Sequence, residues 1–184
     1  MAALVIEQQL RAARVSKTPV VFIYYNYKRQ DQQTLRHTLQ TFLRQVVDFL
    51  PEIPKLLDDF MNNAHTPTTI ELESMLDELL KSIKELVIIT DALDECHDGA
   101  RGEVLSWIAG LQSNTSVRYL ATTRDFYPEV SHFIFEKLPQ LEIKASRHDL
   151  EMYTRARAKI LRARLQPDLL EDLVDGVVTA ADGM

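Results

Sequence analysis

Apolar runs alternating with helical patterns predict an α/β protein built on a parallel sheet, with further helices towards the C-terminus. Two observations carry this expectation. The runs PVVFIYYNY (19–27), LVIIT (86–90) and VRYLATT (117–123) show little polar alternation, as strands covered on both faces do. The intervals between them carry apolar residues at helical spacing and are long enough for βαβ crossovers.

Each element has its own signal. Residues 2–14 place Leu4, Val5 and Leu10 at helical spacing, and Lys17-Thr18-Pro19 breaks that helix before the first strand. A helix from about Gln33 to Leu50 sets Leu35, Leu39, Phe42, Leu43, Val46 and Val47 on one side, and Pro51 and Pro54 end it. A short helix around 56–62 leads into the turn-rich NNAHTPTT. The clearest helical pattern is IELESMLDELLKSIKE (70–85), with Leu72, Met75, Leu76, Leu79, Leu80 and Ile83 along one face. GEVLSWIAGLQ (102–112) is a helix before the third strand, and QLEIK (140–144) reads as a further strand. Ser146, with Asp149 three residues on, caps the next helix; Pro167 opens the last, which runs to about Ala181.

Composition narrows the function classes. A chain of 184 residues suits one domain with a real core, and 46% hydrophobic with 26% charged residues excludes a disordered chain. A net charge of −6 leaves no basic excess for nucleic acid, and the Arg-rich RARAKILRAR (155–164) reads as a solvated helix face. The single Cys96 excludes an internal disulfide. No apolar run approaches the ~20 residues of a membrane span. The N-terminus lacks a basic n-region and a small-residue cleavage site; Glu7 among its helical residues speaks against a transit peptide, despite Arg11 and Arg14. A cytoplasmic location is the expectation.

ELVIITDALDEC (85–96) carries the chemistry. It passes from aliphatics into Asp91, Asp94 and Glu95, at the strand end where parallel sheets bind ligands. Such an acid suits Mg²⁺, which takes hard oxygen and keeps most of its waters, so one carboxylate suffices. A second acid can orient or deprotonate an attacking water. The plainer alternative is that these acids cap the next helix and face solvent. An EF-hand fails because its third and twelfth positions would be Cys96 and Leu105. A zinc site on Cys96 and His97 lacks a second ligand pair, since His132 and His148 stand alone. An unrelated Mg²⁺-dependent hydrolase would need a nucleophile or base beside the acids, and none is positioned there.

ITDALDEC resembles the extended Walker B motif of NACHT-type signalling NTPases, members of the STAND class of P-loop proteins. In that family a small residue follows the metal-binding Asp and further acids come two or three positions later, as Ala92, Asp94 and Glu95 do. VRYLATTRD resembles the family's sensor 1 strand, with Arg124 at its end. PVVFIYYNYKRQDQQTLRHTLQTFLRQVV resembles the segment after the first helix of fungal nephrocystin-like NACHT proteins, and VVTAADGM the end of the helical region. The resemblance spans essentially the whole chain. It implies a P-loop NTPase sheet with the three strands in the order 4-3-2, a nucleotide-binding core over 1–145, and a helical segment over 146–184 leading to a winged-helix region. It also implies roles: Asp91 as the Mg²⁺ ligand, Asp94 or Glu95 as the water-orienting acid, and Arg124 as the γ-phosphate sensor, within about a salt-bridge distance or one bridging water of Asp91. ATP with Mg²⁺ is the cofactor of the intact family, which works as a nucleotide-dependent switch in innate-immunity or incompatibility signalling.

One motif is missing from these residues. The phosphate loop G-x-x-x-x-G-K-[ST] is absent, and all five glycines follow Asp91. Without its cradle of backbone N–H groups and its lysine nothing here grips β- and γ-phosphates. The resemblance places that loop and the family's first strand ahead of Met1, leaving the sheet incomplete and the 117–123 strand with an open edge. The expectation is a partial module unable to bind or hydrolyse ATP alone. The alternative is an interaction or regulatory fragment that joins full-length relatives, or self-associates, through that edge.

Overall fold

The computed structural model describes residues 2–52, 55, 57, 66–111, 116–124, 139–143, 145–160 and 167–181. They divide into two compact units, 1–138 and 139–184.

The first unit opens with α1 (Ala2–Ser16). It stops where Lys17 takes a left-handed φ of 56° and donates its N–H to the Ala13 carbonyl at 2.9 Å. Pro19 then disfavours helix at Thr18, so the chain leaves extended into β1 (Val20–Tyr24). Six polar residues, Tyr27–Gln32, form a 3-10 segment, and Asn26 caps it by accepting from the Lys28 N–H. Thr34 caps α2 (Leu35–Phe49) by accepting from the His37 N–H, and Pro51 follows its end. α3 (Thr69–Leu80) starts with a reciprocal capping box between Thr68 and Glu71. The remaining elements of this unit are β2 (Glu85–Asp91), a 3-10 turn at Leu93–Glu95, α4 (Asp98–Leu111) and β3 (Ser116–Ala121).

The three strands are parallel in the order β1-β2-β3, with Tyr24 beside Asp91 and Thr90 beside Ala121. On one face, Leu39, Phe42 and Val46 of α2, Leu72, Leu76 and Leu80 of α3, and Val104 and Ile108 of α4 pack on Val21, Ile23, Leu86 and Ile88. On the other, Ile6 and Ala13 of α1 pack on Val20, Val87 and Ile89. β2 is therefore covered on both faces, whereas the β3 residues on the α1 side, Arg118 and Leu120, stay exposed. The outer edge of β1 is not bare. The Gln45 side chain of α2 accepts from the Phe22 N–H and donates to the Phe22 carbonyl, both at 2.8 Å, and so stands in for a neighbouring strand.

Two expectations are corrected here. The helix over 70–85 ends at Leu80, because residues 81–84 turn and Glu85 already pairs with Ser116 in the sheet. Its apolar period continues to Ile83 only because that side chain still packs on the same core. The strand expected at 140–144 is absent from 140–143, where Leu141 and Ile143 are exposed and no described strand lies alongside; a strand needs a neighbour for its backbone groups. Residue 144 lies outside the described residues, as does nearly all of the helix expected at 56–62.

The second unit pairs α5 (Arg147–Ile160) with α6 (Pro167–Ala181). Ser146 and Asp149 form the cap: the Asp149 N–H donates to Ser146 Oγ at 3.1 Å, and the Ser146 N–H donates back to the Asp149 carboxylate at 3.2 Å. The Ser146 hydroxyl, which donates to Asp149 Oδ2 at 2.6 Å, and after it the Ser146 N–H hold the Asp149 carboxyl below its ordinary range. The Arg155 fork grips Glu171 across the pair with bonds of 2.6 and 2.7 Å. Arg155 of the Arg-rich segment thus ties the two helices together, and Arg157 on the same helix is exposed.

Candidate functional site

The carboxyl ends of the three strands meet at the acidic turn. At the end of β2 the Asp91 carbonyl accepts from the Tyr25 N–H at 3.0 Å, which ties it to β1. The chain then reverses through Ala92, held left-handed at φ 54° and ψ 51°. A side chain in that region costs about 1–2 kcal/mol, so something must hold it. Thr122, just past β3, does so. Its hydroxyl accepts from the Ala92 N–H at 3.0 Å and donates to Asp91 Oδ1, while its carbonyl accepts from the Leu93 N–H at 2.9 Å. Its own N–H continues the ladder to the Thr90 carbonyl.

The next two acids lie in the 3-10 turn, anchored by buried Leu93. Asp94 accepts from the Arg124 backbone N–H at 3.3 Å and from Arg124 Nε at 2.8 Å. Glu95 takes the same guanidinium on Oε1 and the Tyr27 N–H, at 3.1 Å, on Oε2. The Glu95 carbonyl also accepts from the Gln30 amide at 3.1 Å. The acid side chains are only 8% and 18% exposed, against 70% for Arg124. The guanidinium therefore lies over the acids with its outer face open to water.

All four residues that the sequence singled out thus gather at one end of the sheet. Among the described residues Arg124 forms ion pairs with Asp94 and Glu95, not with Asp91. The reason is reach: Thr122, just past β3, bonds to Asp91, and Arg124, two residues on, arrives over the 3-10 turn instead. Thr122, Tyr27 and Gln30 went unnoticed in the sequence because Thr122 acts from the end of β3 and the other two from the segment after β1, through a hydroxyl, a main-chain amide and a neutral side chain.

The donor set sets limits on a metal. No group of three or more His, Cys, Asp or Glu side chains converges as a metal cage among the described residues. Both oxygens of Asp94 and of Glu95 already accept hydrogen bonds. The second oxygen of Asp91 has no hydrogen-bond partner among the described residues. That set fits a hydrated Mg²⁺ touched by one carboxylate, and does not fit an all-protein site. Nearby Cys96 is buried, and burial pushes its thiol up to about 11, so it offers no nucleophile. Burial likewise raises the hydroxyl of Tyr25, which bonds to Thr38 at 3.2 Å.

Among the described residues no helix is long and apolar enough to cross a membrane. No curated protein matches the chain. Residues 1–124, two thirds of the sequence, match the family model described as Nephrocystin 3, N-terminal. The match includes β1, β2, β3 and all four residues of the acidic site, ending at Arg124 itself. This chain belongs to the nephrocystin 3 N-terminal family.

Proposed function

We propose that this chain is the acid-bearing part of a NACHT-type module of the STAND class of P-loop proteins, derived from a nucleotide-dependent signalling switch. The observation that carries the reading is the convergence of Asp91, Asp94, Glu95 and Arg124 at the carboxyl end of the central strand. Asp91 would hold a hydrated Mg²⁺ through its open carboxylate oxygen; the ion, when bound, would neutralise phosphate charge. Arg124 would exchange its acid partners for a γ-phosphate, and that exchange would free Glu95 to orient water. The family match and the parallel β1-β2-β3 order support this assignment.

These 184 residues contain no phosphate loop, so ATP is held at best through its metal. Calorimetry with Mg²⁺–ATP should give no dissociation constant tighter than millimolar. A micromolar constant, about −8 kcal/mol, would require a phosphate grip other than the one proposed and would refute this reading. A second reading, association with full-length relatives, draws on β3, whose Arg118 and Leu120 are exposed while Gln45 occupies the opposite edge of the sheet. Co-purification with such a relative, and its loss on Leu120→Glu, tests it.

A further inference from the structure

A cavity of about 350 Å³ opens at the carboxyl end of β1, among Tyr24, Asn26, Arg29, Gln33 and His37. That volume falls at the lower end of small-molecule sites, roughly 300–1,000 Å³. We infer that this cavity binds a small oxyanion, phosphate or carboxylate, carried on a planar group.

Four observations point there. Gln33 is 6% exposed; its amide oxygen accepts from the Asn26 N–H at 3.1 Å, but its amide nitrogen has no hydrogen-bond partner among the described residues. An anion in the cavity would accept from that amide N–H₂. The guanidinium of Arg29 and the imidazole of His37 also line the space without a partner among the described residues, and no carboxylate lines it. Of the acceptors there, Asn26 Oδ1 is already taken by the Lys28 N–H. His37 sits in the first turn of α2, which carries no acidic residue, so the helix dipole adds favourable field for an anion. The ring of Tyr24, 47% exposed beside the cavity, offers a face on which a planar group can stack. An arginine fork suits either oxyanion, so the head group is left to experiment.

The test is a titration of ¹⁵N-labelled full chain with phenyl phosphate, benzoate and phenol, followed by amide NMR. Either anion should shift the Gln33 side-chain amide and the Asn26, Arg29 and His37 signals saturably; the tighter of the two identifies the head group. Phenol should not. Arg29→Gln with His37→Gln changes two exposed side chains, and should weaken anion binding by at least about tenfold with signal dispersion kept. Absence of saturable shifts at these residues, equal binding of phenol, or unchanged affinity in the double variant would overturn the inference.

Discussion

Arg124 shows how much depends on which partner is buried. An ion pair between exposed groups is worth about 0–1 kcal/mol. Here the arginine is exposed but its acids are not, so truncating it leaves two shielded carboxylates short of donors. Hydrogen bonds to charged groups are worth about 1.5–3 kcal/mol each, and solvent access to Arg124 discounts that. Arg124→Ala should cost about 1–2 kcal/mol in urea unfolding, and Arg124→Lys should recover only part, since a point charge cannot fork between Asp94 and Glu95. A cost near zero would make the pair a surface accident. Cys96 gives a pH test. Its thiol rises from 9.0 to about 11 in the fold, so on raising pH the unfolded chain loses its proton first. Stability is full below about pH 9 and falls between 9 and about 11, with Tyr25 and Tyr119, raised by burial, extending the loss above 10. Urea midpoints should follow that curve, and Cys96→Ala should flatten its first part. The acids were legible in the sequence because the aliphatic run Leu86–Ile89 leads, through Thr90 alone, into them. Their partners were not: Thr122 acts on Asp91 across 31 positions and Tyr27 on Glu95 across 68.

Helices and strands were legible where one period dominated. α2 and α3 follow their apolar stripes, and the Ser146–Asp149 pair marks a real cap. Mixed signals misled. The strand run 19–27 and the helix from about Gln33 leave 28–32 unassigned, yet Tyr27–Gln32 forms a 3-10 segment, because its bonds are local and owe nothing to an apolar face. QLEIK alternates like a strand, but alternation cannot supply a neighbour to pair with. The clamp on β1 was invisible for another reason: Gln45 sits in an amphipathic helix and looks like any exposed glutamine. Replacing it with alanine strips both the N–H and the carbonyl of Phe22 of their partner. Gln45→Ala should cost about 1–3 kcal/mol, by the usual penalty for stranding such groups, and should increase self-association at high concentration, as a bared strand edge invites pairing. Urea unfolding and sedimentation check the two effects separately; wild-type behaviour in both would show the clamp to be incidental.

At the scale of the molecule, the parallel sheet follows from strand hydrophobicity, and three strands converge their carboxyl ends whatever the loops contain. The acids there lock the turn, and the proposed function has one of them also serve a metal. Every bond described at Asp94 and Glu95 is also what a structural joint would make; only the open oxygen of Asp91 separates the two. Paramagnetic broadening by Mn²⁺, a hard divalent cation like Mg²⁺, reads even weak occupancy of one carboxylate. The account predicts that trace Mn²⁺ broadens the amide signals of residues 91–95 and 122–124 ahead of those near other surface acids, and that Asp91→Asn removes this preference. Broadening spread evenly over all surface carboxylates, or a pattern unchanged in Asp91→Asn, would contradict it.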